Sequence, residues 1–217
     1  MEGRAGGKAA CMIPAFFGLA GTALTDDEIA LFEACDPAGY ILFKRNVETP
    51  EQVRALTDAL KSLSGNQRVP ILIDQEGGRV ARLRPPHWPE FPPPVVFGQA
   101  WDKAPLTAMA AARANAQALG TMLTKLGITV DCLPLLDVKA DGMHEVIGDR
   151  SYGTDPTMVA SLGRATLDGL KAGGCVGVVK HIPGHGRATL DSHLALPTVT
   201  AGAEELELDI KPFRRLA

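Results

Sequence analysis

Short apolar runs alternate along the chain with longer amphipathic segments, and polar or glycine-rich loops lie between them. Short runs that are rich in β-branched residues and bounded by turn residues are typical of strands. Five strands are predicted, at residues 11–17, 39–43, 69–73, within 128–136, and at 175–179. Because these runs are apolar throughout and do not alternate with polar residues, we expect strands buried on both faces, as in a parallel sheet.

The amphipathic segments carry the start signals of helices. Thr25 to Glu28 forms a capping box that predicts a helix ending near Cys35, and Thr49 to Gln52 forms a second box with Pro50 at the first helical position. Three further helices are predicted, at residues 105–126, 156–172 and 204–216. Pro212 is expected to interrupt or kink the last of them.

Five β/α units are compatible with two architectures, an open doubly wound sheet and a TIM-type (β/α)8 barrel. Polar segments with glycine or proline follow the second to fifth strands, which favours the barrel, since barrel active sites lie at the carboxyl ends of the strands. A complete barrel has eight strands and typically about 250 residues, whereas the chain has 217. We therefore predict that residues 1–217 form a single, incomplete α/β barrel domain with about five of the eight units.

The composition is that of a soluble globular protein. Hydrophobic residues make up 46% of the chain, charged residues make up 22%, and the net charge is −3. No basic stripe is present and aromatic residues are only 5%, which argues against nucleic acid or an anionic membrane as a partner. No stretch reaches the ~20 apolar residues of a membrane span.

The cysteines bear on the cellular compartment. Cys11, Cys35, Cys132 and Cys175 lie far apart beside apolar residues, and no CxxC pair is present. This pattern predicts buried free thiols in a reducing, cytoplasmic environment, with a disulfide or redox role as the alternative. Residues 9–24 partly resemble a signal peptide, but Pro14 interrupts the run and no clear cleavage site follows it. We therefore expect the first strand there instead.

The densest cluster of reactive side chains follows the fifth strand, in the segment KHIPGHGRATLDSH from Lys180 to His193. It holds three of the chain's five histidines, in a glycine-rich loop of the kind that carries enzyme chemistry. Asp191 and His193 are two residues apart, so the carboxylate can accept a hydrogen bond from the imidazole and fix its tautomer. This pair is a candidate general acid/base near neutral pH.

A metal site is the alternative interpretation of the same loop. His181, His185, His193 and Asp191 could supply nitrogen and oxygen ligands. Pro183 and the neighbouring glycines break any helical spacing, and the HExxH motif is absent. We therefore expect neither a metal nor a cofactor. A G-x-S-x-G elbow and a P-loop are absent as well, which argues against a serine hydrolase and a nucleotide site.

Two further polar segments follow the third and fourth strands. In DQEGGRVARL, Asp74 can accept hydrogen bonds from neighbouring hydroxyls of a ligand, and Arg82 can donate to ligand oxygens. A solvated turn with an Asp–Arg ion pair is the alternative. After the fourth strand, Arg150, together with Asp149 and Tyr152, suggests a second arm of a polar pocket, since a guanidinium suits bidentate contacts with oxygen-rich ligands. A structural role is equally open there.

Together these segments resemble a known family. KHIPGHGRATLDSH is similar to the signature of family-3 glycoside hydrolases of the β-N-acetylglucosaminidase type, and ILFKRNVETPEQV, IDQEGGRVARL and EVIGDRSYG match the same family in order. The resemblance covers residues 20–216. It implies a (β/α)8-type barrel that removes terminal N-acetylglucosamine with retention of configuration, in two steps through a covalent glycosyl-enzyme.

The resemblance also implies roles for particular residues. His193 would be the general acid/base and Asp191 its orienting partner, in place of the second carboxylate of most glycosidases. The family's sugar-binding positions fall on Asp74, Arg82, Arg150, Lys180 and His181. Short single-domain members act in the cytosol on muropeptides during cell-wall recycling. This implies a small carbohydrate as the partner and, for a full-length form, a monomer.

The family's nucleophile has no counterpart in the matched segments. It is an aspartate after a later barrel strand, and none of the aspartates of this chain lies in that motif, so we assign no nucleophile. We expect the 217 residues to be a truncated version of a longer hydrolase. The alternatives are a partner fragment that completes the barrel and a catalytically inactive carbohydrate-binding fragment.

Overall fold

Strands and helices alternate in the computed structural model, which describes residues 12–140, 145–188, 190 and 196–217. Within those ranges the elements are β1 (Ile13–Gly18), α1 (Asp26–Cys35), β2 (Pro37–Leu42), α2 (Pro50–Ser64), β3 (Ile71–Ile73), α3 (Val95–Trp101), α4 (Pro105–Lys125), β4 (Val130–Asp131), α5 (Pro156–Ala172), β5 (Val176–Gly177) and α6 (Ala203–Leu216). None of the helices in the described ranges is long and apolar enough to cross a membrane.

The five strands form one parallel sheet whose spatial order, β1-β2-β3-β4-β5, is also their order in the chain. Tyr40 lies opposite Ile71, and Leu72 lies opposite Val130. A doubly wound sheet reverses its strand order at a switch point, whereas a TIM-type barrel places consecutive parallel strands side by side. The predicted fold class is therefore confirmed: the chain is α/β, with five β/α units of a TIM-type barrel.

The central strands are buried and the outer strands are not. Tyr40 in β2 and Ile71 in β3 are at most 1% exposed, whereas Phe16 in β1 is 53% exposed and Val176 in β5 is 62% exposed. The prediction of burial on both faces is confirmed for the central strands and wrong for the outer two. The reason is that, among the described strands, β1 and β5 each pair with a single neighbour.

The two predicted capping boxes differ in the structure. Thr25 Oγ1 accepts a hydrogen bond from the Glu28 amide at 3.2 Å, and Glu28 Oε2 accepts one from the Thr25 amide at 2.9 Å, so the first box is confirmed. At α2, Thr49 Oγ1 accepts from the Gln52 amide at 3.2 Å. Gln52 Oε1 instead accepts from the Glu48 amide at 2.9 Å, so the prediction of a reciprocal second box is wrong.

Prolines set several boundaries that the sequence pattern placed differently. The third strand was predicted to begin at residue 69, but β3 begins at Ile71, because Pro70 has no N–H to donate to the sheet. The Pro70 carbonyl accepts from the Tyr40 amide at 2.9 Å. The helix α3 was not predicted, because it follows directly on the proline-rich residues 85–94. The helix α6 continues through Pro212.

The cysteines in the described ranges are free thiols. Cys132 and Cys175 are buried, and Cys35 is half-buried. Burial raises the pKa of both buried thiols to about 12, so neither is a thiolate at neutral pH. The prediction of buried free thiols is confirmed for these two, whereas Cys11 lies outside the described residues.

Candidate active site

A polar cavity of about 320 Å³ opens where the carboxyl ends of β3, β4 and β5 meet. The chain leaves a parallel strand at the same edge of the sheet each time, so the segments that follow these three strands converge there. The cavity is lined by Asp74, Glu76, Arg79, Val80, Arg82, Val146, Ile147, Arg150, Lys180, His181 and His185. The lining includes all five residues predicted to bind sugar.

Lys180 and Arg82 hold Asp74 from two sides. Lys180 Nζ lies 2.9 Å from Asp74 Oδ1, and Arg82 Nη2 lies 3.0 Å from Asp74 Oδ2. The Asp74 side chain keeps 18% of its surface exposed, and that of Arg82 keeps 27%. The Asp–Arg ion pair considered from the sequence is thus present, and it lines the cavity rather than forming a detached surface turn.

Glu76 binds two of the predicted sugar-binding cations at once. Its side chain is 0% exposed, and its two oxygens accept from Arg150 Nε at 2.8 Å and Nη2 at 2.9 Å. Lys180 Nζ lies 2.6 Å from Glu76 Oε1. We call Asp74, Glu76, Arg82, Arg150 and Lys180 the charged floor.

No role was predicted for Glu76 from the sequence, although a signal was present. Glu76 follows Asp74 by two residues, and in extended backbone such residues face the same side.

The charges of the floor stabilise one another. Burial acts to raise the pKa of Asp74, but Lys180 and Arg82 outweigh it, so the pKa lies below the ordinary value. Burial acts to lower the pKa of Lys180, but Glu76 and Asp74 outweigh it and raise the pKa. Asp74 and Lys180 therefore both carry their charges at neutral pH.

Asp131 on β4 shows the opposite behaviour within the same sheet. It is 0% exposed, and Oδ1 accepts a hydrogen bond from the Gln75 amide at 3.0 Å. Burial raises the pKa of Asp131 well above its ordinary value, and the hydrogen bond from the Gln75 amide and the charge of Lys180 offset only part of that rise. Asp74, whose pKa is lowered by its ion pairs, thus differs from Asp131, whose pKa is raised by burial.

Asp137 fixes the start of the loop that follows β5. Its Oδ2 lies 2.8 Å from His181 Nδ1, and its Oδ1 accepts from the amides of His181 at 3.3 Å and His185 at 2.7 Å. The Asp137 side chain is 0% exposed. The bond at Nδ1 directs the other ring nitrogen of His181 away from Asp137. This role of Asp137 was not predicted from the sequence. Its position directly after the buried segment 132–136 was the signal that could have indicated it.

Arg79 joins two of the segments that line the cavity. Its Nε donates to Asp149 Oδ1 at 2.7 Å, and its Nη2 donates to the carbonyl oxygens of residues 145–147 at 2.6 to 3.1 Å. Tyr152 is buried instead, and its hydroxyl lies 2.8 Å from Thr166 Oγ1. The hypothesis that Tyr152 belongs to the polar pocket is therefore wrong, because its ring packs in the core with α5.

The predicted acid/base pair, Asp191 and His193, lies outside the described residues, so its role stays a prediction. The same holds for half of the alternative metal set. In the ranges that the structure describes, no group of three or more histidine, cysteine, aspartate or glutamate side chains could hold a metal ion. His181 and His185 do lie close together, with ring centroids 6.1 Å apart.

Comparisons with known protein sequences cover nearly the whole chain. The family described as "Glycosyl hydrolase family 3 N terminal domain" matches residues 18–217. A beta-hexosaminidase of Alkalilimnicola ehrlichii is 41% identical over 209 residues, which are 94% of this chain and 58% of that protein. A beta-hexosaminidase of Methylobacillus flagellatus is 36% identical, with the same shares covered. The chain thus spans less than two thirds of the length of these relatives.

Solved structures with similar sequences share the fold of this chain. NagZ from Neisseria gonorrhoeae, in complex with N-trifluoroacetyl-D-glucosamine, superposes with a TM-score of 0.87 at 38% identity, over 94% of this chain and 60% of that one. A family 3 β-N-acetylglucosaminidase from Paenibacillus sp. str. FPU-7 superposes with a TM-score of 0.84 at 36% identity, over 92% and 38% of the two chains.

Proposed function

The chain belongs to glycosyl hydrolase family 3, and on this premise we propose that it is a retaining exo-β-N-acetylglucosaminidase. The observation that carries the proposal is the charged floor, in which two carboxylates and three cations meet at the bottom of a small cavity. Such groups recognise a ligand rich in hydroxyl groups. The similarity to beta-hexosaminidases and to a NagZ bound to a glucosamine derivative supports N-acetylglucosamine as the sugar.

The proposed contacts follow from which atoms of the floor face the cavity. Asp74 accepts hydrogen bonds from sugar hydroxyls, and Lys180, Arg82 and Arg150 donate to sugar oxygens. His181 is 37% exposed at its side chain, and Asp137 occupies Nδ1, so Nε2 is the nitrogen that meets the sugar. A cavity of about 320 Å³ is at the lower end of ligand sites, which supports binding of one terminal ring and hence exo action.

The proposed reaction has two steps. In the first, a carboxylate nucleophile bonds to the anomeric carbon, the glycosidic C–O bond breaks, and the aglycone oxygen takes a proton from His193. In the second, His193 takes a proton from water, the water oxygen bonds to the anomeric carbon, and the carboxylate departs. Asp191 orients the imidazole in both steps. We assign the nucleophile to none of the residues of this chain.

The proposed substrate is the terminal N-acetylglucosamine of muropeptides derived from peptidoglycan, and the proposed place is the cytoplasm. The substrate rests on the family resemblance and on the similarity to NagZ. The location is supported by the free thiols of the described cysteines.

Carbohydrate binding without turnover is the second candidate function. It is favoured by one specific observation: the cavity gathers the five sugar-binding positions of the family, while no nucleophile is assigned. The two candidates share every residue of the floor, so only turnover separates them.

The experiment measures hydrolysis and binding on the same purified chain. Release of p-nitrophenol from p-nitrophenyl N-acetyl-β-D-glucosaminide supports the hydrolase, with the α-anomer as the control. Binding of N-acetylglucosamine in ligand-observed NMR without any release supports the second candidate. Failure of both assays with a folded chain contradicts both.

A further inference from the structure

Residues 184–188, which we call the loop stem, stand in the sequence between Lys180 of the charged floor and the predicted acid/base pair. The proposed function gives no role to Arg187, although it stands inside the KHIPGHGRATLDSH segment. Its guanidinium reaches α6, where Nε donates to Asp209 Oδ2 at 2.8 Å and Nη1 donates to Glu205 Oε1 at 3.2 Å. Nη2 also donates to the Glu205 carbonyl oxygen at 3.3 Å.

The bond to Asp209 is the buried part of this contact. The Asp209 side chain is 5% exposed and that of Arg187 is 21% exposed, whereas the Glu205 side chain is 56% exposed. Burial raises the pKa of Asp209, and Arg187 acts against that rise. A partly buried ion pair is screened less by solvent than a surface pair, so Asp209 contributes more than Glu205 to holding Arg187.

Two glycines bring the stem into direct contact with its surroundings. A Cβ on Gly186 would lie 1.7 Å from the Val138 carbonyl oxygen, so only glycine fits there. Gly184 has a φ of +131°, and a Cβ on it would lie 3.0 Å from Asp209 Cβ. The stem therefore packs against the residues after β4 on one side and against α6 on the other.

Both supports of the stem are themselves fixed. Asp137 accepts from the His185 amide at 2.7 Å. On the other side, Phe213 of α6 is 4% exposed and belongs to the same core cluster as Val159 and Leu162 of α5. A hydrogen bond from Arg187 to α6 therefore connects the stem to the packed core of the domain.

We propose that Arg187 and Asp209 are positioning residues, which fix the loop stem on α6 and through the stem act on proton transfer by His193. The second half of this statement rests on the proposed function, because it assumes that His193 transfers the proton. Asp191 follows the end of the stem by three residues in the sequence, so the segment that carries the predicted pair is joined directly to the stem.

Hydrogen–deuterium exchange tests the anchor without turnover. In Arg187→Ala, the amides of Gly184, His185 and Ala188, which are hydrogen-bonded in the structure, exchange roughly tenfold faster, the scale for losing a charged hydrogen bond. Arg187→Lys keeps part of the protection. The matched control is Arg214→Ala, which removes an exposed ion pair with Glu207 on the same helix. Unchanged exchange of the stem in Arg187→Ala and in Asp209→Asn overturns the proposal.

The positioning role is tested with two substrates that differ in their need for an acid. A 2,4-dinitrophenyl N-acetylglucosaminide loses its aglycone without protonation, whereas a 4-methoxyphenyl glycoside needs it. In Arg187→Ala, kcat/KM falls roughly 10- to 100-fold on the second substrate and less than about threefold on the first, as for a misplaced catalytic group. Equal losses on both indicate a merely structural role and contradict positioning. A wild-type chain that hydrolyses neither substrate contradicts the proposed function, while exchange still decides whether Arg187 anchors the stem.

Discussion

The charged floor and the loop stem lie side by side on one rim, yet they are held by different means. The floor is a network of buried and half-buried charges from three strand ends, in which Glu76 and Asp74 share Lys180. The stem depends on close backbone packing at Gly186 and on the ion pairs of Arg187 with Asp209 and Glu205 of α6. Every charged group of the floor is thus fixed by an opposite charge, which supports its proposed role in binding. The stem carries the positioning role that we propose for Arg187 and Asp209.

Removal of the predicted general acid/base is expected to have the largest effect on activity. In any active longer form, we expect His193→Ala to lower kcat/KM on p-nitrophenyl N-acetylglucosaminide by roughly 10²–10⁴-fold, the usual scale for losing a general acid or base. Steady-state kinetics measure this, and His87→Ala, at an exposed position outside the cavity, is the control. Full activity of His193→Ala would contradict the assignment of His193 as the general acid/base.

The next largest effect concerns the centre of the floor. Glu76→Gln removes the buried charge that Arg150 and Lys180 share, and breaking a buried ion pair costs about 3 kcal/mol or more. We expect a loss of that size in the free energy of unfolding from urea denaturation, together with weaker sugar binding. Glu90→Gln, at an exposed position, is the control. A Glu76→Gln variant as stable as the wild type would show that the network does not hold the floor.

A smaller effect is expected from Arg79, at the edge of the charged floor. Arg79→Ala releases residues 145–147 and Asp149, so Arg150 loses part of its support. Because Arg79 is 45% exposed at its side chain, we expect N-acetylglucosamine to bind only about three- to tenfold more weakly, as for one charged hydrogen bond. Titration by NMR measures this, with Arg68→Ala at an exposed position as the control. Binding equal to that of the wild type would show that Arg79 does not support the sugar-binding site.

The smallest effect is the pH dependence of the floor. The pKa of Asp74 is lowered in the folded state, so its ionised form stabilises the fold above the ordinary value of 3.8, and this contribution is lost as the pH falls through the lower folded value. Asp74→Asn cannot titrate. We therefore expect the stability advantage of the wild type over Asp74→Asn to shrink below pH 3.8, measured by urea denaturation at several pH values. An advantage that grows on acidification contradicts the pKa direction.

The barrel fold and most residues of the charged floor could be predicted from the sequence, because both follow from local patterns. The apolar runs and capping residues such as Thr25 and Asp155 mark the elements, and strand ends gather their loops by geometry alone. Glu76 and Asp137 were missed, since their importance arises from partners 74 and 44 residues away, Arg150 and His181. The exposure of β1 and β5 likewise depends on which strands lie beside them, which a single run of residues does not encode.

The most direct test of the central claim is equilibrium binding of N-acetylglucosamine to two variants, measured by NMR titration. The claim is that the floor binds the sugar and the loop moves the proton. It predicts that His193→Ala binds within about twofold of the wild type, whereas Asp74→Asn binds roughly tenfold or more weakly, as for losing charged hydrogen bonds. Equal loss of binding in both variants, or wild-type binding by Asp74→Asn, would contradict it.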